Sequence, residues 1–456
     1  MKKMTGLKQG MLYLICAAVI ISSPSTVSAG NGQTDVEDTG EQPPSLRKEI
    51  QKLKKGNWVN LTTQQKLEDL DILYQTLKDN YPYFHVLRRM RNVDLEEKYR
   101  TARKEISRGG TDIAFYQQLD AFINTNDQIG HLMLDNPYWY EDSASSYKSL
   151  ARDYPEMERM QKFSAAYNND KSVENYGKMK AITDPAYNKV MAYYDADETA
   201  QDTGTGLAAD NVRTHIDNVQ TRIIQEGRIA YIKIDSLLPS NVYGEDKKQL
   251  FDFYGTVKDH DNVIFDFTDN GGGSMNYFND LIVSPNIDTT LKCNAYKLIK
   301  AGENNGIFLD FNDYRPISEF PGLPLMNQDD LSDVDLFHEI EYTTEPLGKE
   351  KMLKGKLWLL VSDTVFSSSE YAAMFSKATG FMTLVGTRTG GEGIGSDPLP
   401  IILPNSGLIV QYAAEYGALP DGSGSQEYGT MPDILSPEGE SALDTCLRAI
   451  GQDPRP

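Results

Sequence analysis

Cysteine is scarce in this chain, with three in 456 residues, and Cys16, Cys293 and Cys446 lie far apart. That excludes a disulfide-dense scaffold and thiolate metal sites built on short cysteine spacings. Histidine is also thin, at five residues, and His338-Glu339 lacks the second histidine that a zinc-protease helix needs. There is no Gly-x-Ser-x-Gly nucleophile elbow, no phosphate loop and no calcium loop with its required glycine. Positive charge is in deficit. Lys and Arg number 45 against 66 Asp and Glu, a net charge of −21, so the basic footprint of a nucleic-acid binder is missing and no nucleic-acid partner is expected. An acidic balance favours solubility and says little about fold. Long apolar runs are absent too, because the run from Met11 to Ile21 falls short of the roughly 20 residues that span a bilayer.

That run has another use. Lys2, Lys3 and Lys8 precede it, and Val27-Ser28-Ala29 offers the small-x-small pattern of signal-peptidase cleavage before Gly30. Residues 1–29 are therefore predicted to be a signal peptide, and the mature chain to be secreted or held in the cell envelope with no membrane span. Cys16 lacks small residues at the places a lipoprotein anchor would need. Cys293 and Cys446 remain after cleavage, and both a disulfide between them and two buried thiols stay open.

The length exceeds the roughly 100–200 residues of one domain, so two are expected. Residues 30–44, rich in Gly, Thr, Asp, Glu and Pro, read as a flexible leader. Across residues 45–200 the pattern is helical, with Leu67, Leu70, Leu73 and Leu77 at three- and four-residue steps. A Gly-, Asp- and Thr-rich linker follows at 201–219. Beyond it the period changes. Arg228–Ile234 and Asn262–Phe267 look like strands flanking a helix at Glu245–Tyr254, which argues for an α/β sheet. Leu357–Val361, a helix after Ser367, Phe381–Val385 and Leu408–Tyr412 continue it. Residues 300–352, with Asp329, Asp330, Asp333 and Asp335, read as an insertion or lid.

Chemistry is suggested at Ser367-Ser368-Ser369-Glu370, a strand-to-helix turn after the apolar run Leu357–Val361. A serine hydroxyl needs a base to become a nucleophile, and a helix N-terminus favours developing negative charge. The plainer reading is a capping box, with Ser367 as cap and Glu370 three residues on. Asn270-Gly271-Gly272-Gly273 follows another strand, where glycines let backbone amides approach a ligand as an oxyanion hole requires; an ordinary tight turn is the alternative. His131 lies in the polar, glycine-containing stretch Asn126-Asp127-Gln128-Ile129-Gly130-His131. His85, His215, His260 and His338 lack such company.

Taken together, Gly227–Ile232, Asp266-Phe267-Thr268-Asp269-Asn270-Gly271-Gly272, Ser367–Glu370 and Val385-Gly386-Thr387-Arg388-Thr389-Gly390-Gly391 resemble the core of the C-terminal processing (tail-specific) and tricorn-like serine peptidases. The pieces stand in family order over residues 220–445. The resemblance implies an α/β peptidase core with a mixed sheet and flanking helices, here preceded by a mostly helical N-terminal domain. It implies Ser367 as nucleophile, and the amides of Ser368 and of Gly271 or Gly272 as oxyanion hole. Processing proteases place a lysine base where this chain has Glu392, and a carboxylate cannot act as a neutral amine, so Glu392 is expected outside the reacting set. The tricorn-like branch instead implies His131 as base and Glu427, just before Gly429-Thr430-Met431-Pro432-Asp433, as the carboxylate. Leu132 and Gly130 depart from that branch, and no PDZ domain is apparent. The expected activity is hydrolysis of peptide bonds in extended protein segments, needing no metal or cofactor. A non-catalytic peptide- or lipid-binding protein on the same fold is the alternative.

Overall fold

The computed structural model describes residues 56–124, 129–201 and 218–452. The signal peptide, the leader, nearly all of the 201–219 linker and Asn126–Gln128 lie outside the described residues. The N-terminal region is helical, as its periodicity predicts: α1 (Thr63–Asn80), α2 (Phe84–Arg91), α3 (Leu95–Ser107) and α4 (Asp112–Ile123) precede a two-residue strand, β1 (Met133–Leu134). Helices α5 (Pro137–Asp153), α6 (Glu158–Tyr167) and α7 (Asp170–Gln201) follow. Thr62 begins α1 with a capping box closed by Gln65, and Leu70, Leu73 and Leu77 form its buried stripe.

The second half carries β2 (Val219–Gln225), β3 (Ile229–Ile234), α8 (Gly244–Val257), β4 (Asn262–Asp266), α9 (Met275–Phe278) and β5 (Leu291–Ile299). Next come α10 (Glu303–Phe308), β6 (Arg315–Pro316), β7 (Leu336–Thr344), β8 (Lys356–Val361), α11 (Ser368–Thr379) and β9 (Thr383–Gly386). The chain continues through β10 (Leu399–Ile402), β11 (Ile409–Tyr412), β12 (Glu415–Ala418), α12 (Ser425–Tyr428), β13 (Ile434–Leu435) and α13 (Ala442–Gln452).

A six-stranded mixed sheet, ordered β13-β9-β8-β4-β3-β2, is parallel except for β2. Its central strands are buried on both faces, and side chains alternate between two cores. Ala230, Ile232, Val263, Phe265, Leu357 and Leu359 meet α8, α9 and α11, while Ile229, Tyr231, Ile264, Trp358 and Leu360 meet α13. Cys293 joins the first core and Cys446 the second, and both are free buried thiols.

Two antiparallel sheets complete the fold, β12-β5-β7-β6 and β1-β11-β10. The 300–352 segment therefore supplies α10, β6 and part of a sheet, with β7 paired along β5 from Leu336 to Thr344. The third sheet joins the two halves. Met133 pairs with Gln411 and Leu134 with Val410, and the core under α1–α6 includes Leu399, Ile401, Ile409, Val410 and Tyr412. One apolar core thus spans the helical region and the C-terminal strands. Among the described residues no helix is long and apolar enough to cross a membrane.

Candidate active site

The site forms at the carboxyl ends of β4 and β8, neighbours in the parallel sheet, where open α/β sheets leave a crevice between diverging loops. From β4 the chain enters the Asn270–Gly273 turn, and from β8 it reaches Ser367 at the head of α11. Asn270 ties the two together. Its Oδ1 accepts from the Gly272 amide at 3.0 Å and from Ser369 Oγ at 2.6 Å, while its Nδ2 donates to the Ile234 carbonyl at 3.0 Å. Ser368 Oγ donates to the Gly273 carbonyl at 2.8 Å. The glycine is required here: Gly272 has φ 121°, and a Cβ on it would stand 2.9 Å from both the Phe366 carbonyl oxygen and Ser367 Cβ.

Ser367 makes no capping bond. Glu370, the would-be box partner, instead accepts from Thr430 Oγ1 at 2.6 Å. Burial pushes the Glu370 carboxyl up to about 7. The Ser367 hydroxyl is directed at the helical half of the chain, with His131 Nε2 at 3.2 Å from its Oγ. The His131 ring lies against Phe366, centroids 4.8 Å apart.

His131 is delivered by a tight turn whose backbone is held on both sides. Gly130 and His131 both have positive φ, 60° and 50°. A Cβ on Gly130 would approach the Tyr81 and Tyr83 rings to 2.7 Å, so only glycine fits. Tyr81 donates to the Ile129 carbonyl at 2.5 Å and the Ala413 amide to the Gly130 carbonyl at 2.6 Å. These partners come from the α1–α2 connection and from the end of β11, so the base reaches Ser367 only when both halves are packed.

The structure brings Ser367 and His131 together, but it does not pair His131 with Glu427. Glu427 is buried, its Oε2 2.8 Å from Arg89 and its Oε1 accepting from the Tyr416 hydroxyl at 2.6 Å. Arg89 also contacts Asp330 at 2.5 Å. Burial opposes the Arg89 charge, yet bonds to Asp330 and Glu427 outweigh it and raise its pKa above the usual guanidinium range. With both oxygens of Glu427 held this way, the carboxylate that faces His131 is Glu392. Its Oε1 lies 3.8 Å from the buried Nδ1, which has no hydrogen-bond partner. Tyr83 holds Glu392 in place, its hydroxyl 3.2 Å from Oε1 and 2.9 Å from the Glu415 carbonyl. The signal for Glu392 was its place in Gly390-Gly391-Glu392-Gly393, where the family lysine would stand: the position approaches the nucleophile, but through a histidine.

The proposed donors separate in the same way. The Gly272 amide is committed to Asn270, whereas no hydrogen bond is recorded for the amides of Gly271 and Ser368 among the described residues. Of the five described non-glycine residues with positive φ, three are His131, Ser367 and Glu392. Such backbones cost about 1–3 kcal/mol each and persist where surrounding contacts over-determine them. The Ser367 amide, donating to the Gly391 carbonyl at 3.0 Å, ties two of the three strained segments together.

A serine in reach of an imidazole, beside a glycine turn on an α/β sheet, defines a serine-type hydrolase site. Residues 228–436 match peptidase family S41. The domain they span belongs to that family, and the protein is a serine-type peptidase acting on peptide or protein substrates. Among solved structures the fold resembles that of a candidate peptidase from Parabacteroides merdae, with TM-score 0.50 and 19% identity over 86% of this chain and 96% of that one. It also resembles mature CPAF, with TM-score 0.50 and 13% identity over 86% and 99%. At these identities the likeness concerns the fold. No curated protein matches the sequence significantly.

Proposed function

We propose that the protein is an exported endopeptidase that cuts extended protein segments through Ser367, His131 and Glu392, in the manner of the tricorn-like branch but with a different carboxylate. The observation that carries this is the 3.2 Å approach of His131 Nε2 to Ser367 Oγ. Serine Oγ attacks the scissile carbonyl carbon as Nε2 takes its proton. The oxygen that gains the negative charge points at the amides of Gly271 and Ser368, at the positive end of α11. Glu392, opposite Nδ1, fixes the tautomer that leaves Nε2 free to accept and offsets the imidazolium charge. Collapse of the intermediate breaks the C–N bond, and the leaving amine takes the proton from Nε2. Water, deprotonated by the same nitrogen, then releases the acyl group and restores the serine.

Export rests on the basic, apolar and small-x-small order of residues 1–29, and mass spectrometry of the mature N-terminus would reveal Gly30 as its first residue. The catalytic reading is tested with a fluorophosphonate probe and casein hydrolysis. Wild type should label and cut, and Ser367→Ala should do neither. Labelling that survives Ser367→Ala would move the nucleophile elsewhere.

A further inference from the structure

Short as it is, α12 touches three parts of the site at once. Ser425 Oγ accepts from the Gly393 amide at 2.9 Å, next to Glu392. The Ser425 carbonyl lies so close to Gly391 that a Cβ there would stand 2.5 Å from it. Gln426 Oε1 accepts from the Gly130 amide at 3.0 Å, one residue before His131. Glu427 anchors the turn through Arg89 and Tyr416. One four-residue turn therefore carries contacts to the loops that present both the imidazole and the carboxylate facing it.

Among these contacts the one made by Gln426 has no backup. Gly130 is buried, and its carbonyl and the carbonyl before it are held by Ala413 and Tyr81. Its amide has Gln426 as the partner recorded in the described structure. A buried amide without an acceptor is costly, and the turn that follows has two successive residues at positive φ with little intrinsic preference for that shape. Removing the acceptor would let the Ile129–His131 turn relax toward ordinary backbone angles. The imidazole would swing with it, away from the line between Ser367 and Glu392.

We infer that Gln426 is a positioning residue for His131: its side-chain carbonyl, by accepting the Gly130 amide, fixes the direction and tautomer of the catalytic imidazole. The inference rests on the peptidase reading above and extends it to a residue that touches neither substrate nor reacting atoms. Length and charge both suit the task. The neighbouring Glu427 is held by its own partners, and a neutral amide reaches the Gly130 nitrogen without adding another carboxylate beside Glu392.

The test compares Gln426→Met, which keeps the length and loses the acceptor, with Gln426→Glu, which restores an acceptor oxygen. Casein-derived peptide kinetics and 15N spectra of histidine-labelled full-length protein are read side by side, with His131→Ala assigning the His131 signals. Gln426→Met should lose about tenfold to a hundredfold in kcat, the cost of a displaced catalytic group, at a KM within about twofold of wild type. Its His131 nitrogens should report a mixture of tautomers, where wild type shows the single form with the proton on Nδ1. Gln426→Glu should regain most of kcat and the single tautomer. A Gln426→Met enzyme with wild-type kcat and wild-type imidazole shifts overturns the inference. The spectra decide it without turnover, so a wild type that failed to hydrolyse peptides would sink the peptidase reading while Gln426 was still judged by the tautomer.

Discussion

Replacing Glu392 by glutamine separates the two carboxylates that compete for the role beside His131. The substitution keeps shape, backbone conformation and an acceptor for the Tyr83 hydroxyl, and removes one charge. That charge lies 3.8 Å from Nδ1, where at an effective dielectric near 20 it interacts with an imidazolium by about 4 kcal/mol. The imidazolium exists only once Nε2 has taken the serine proton, so the loss falls on the transition state. At roughly 1.4 kcal/mol per factor of ten, kcat should drop about a thousandfold with little change in KM. Glu427→Gln is the counterpart. Its charge is spent on Arg89 at 2.8 Å, so its removal should lower the melting temperature and reduce kcat by less than about tenfold, because breaking a buried pair costs the fold first. Steady-state hydrolysis of a quenched fluorescent peptide, with thermal melts alongside, measures both. A Glu392→Gln enzyme within about threefold of wild type, beside a Glu427→Gln enzyme a thousandfold down, would refute the geometric argument and return Glu427 to the triad.

Two further predictions address the backbone and the buried acids. Gly272→Ala should lose about 1–3 kcal/mol of stability to its positive φ, and its kcat should fall steeply because the added Cβ presses on Ser367 from 2.9 Å; unchanged kcat in a folded variant would contradict the close approach. Asp135, just after β1, is buried with one carboxylate oxygen unpartnered, and desolvation pushes its pKa up from 3.8 to about 8 despite a bond from Gln411. Between those values the folded chain holds a proton that the unfolded chain releases, so its contribution to stability is complete below about pH 4 and is lost as pH rises through 8. Asp135→Asn should flatten the fall in melting temperature between pH 5 and 8, and an identical slope in the variant would show that Asp135 does not cause it.

The catalytic half was legible wherever local pattern and burial agree. Leu357–Val361 is apolar because β8 is covered on both faces, and the glycines at 271–273 stand where a turn had to be. Strands β5 and β7 were hidden: β7 alternates buried and exposed residues inside a segment rich in Gly, Pro and Asp, and its partner lies more than forty residues upstream. The site divided along the same line. Ser367 and His131 carried recognisable neighbours. The roles of Glu392 and Glu427 depended on Tyr83 and Arg89, hundreds of residues away, and no spacing rule reveals which carboxylate meets a cation and which meets an imidazole. Ser367 itself could be read as a helix cap until the structure showed its hydroxyl turned to a histidine on β1's approach.

The pairing of β1 with β11 has a consequence for timing. Met133 and Leu134 can find Gln411 and Val410 only after the chain has closed a loop of some 275 residues, and contacts of such long range form late because the entropy of closure precedes their reward. Gln426, which the base's turn also leans on, is made later still. During synthesis the serine can thus be folded into its sheet while its proton acceptor waits, unplaced, at the other end of the chain. A protease assembled in this order has no means of cutting its neighbours until nearly all of it exists.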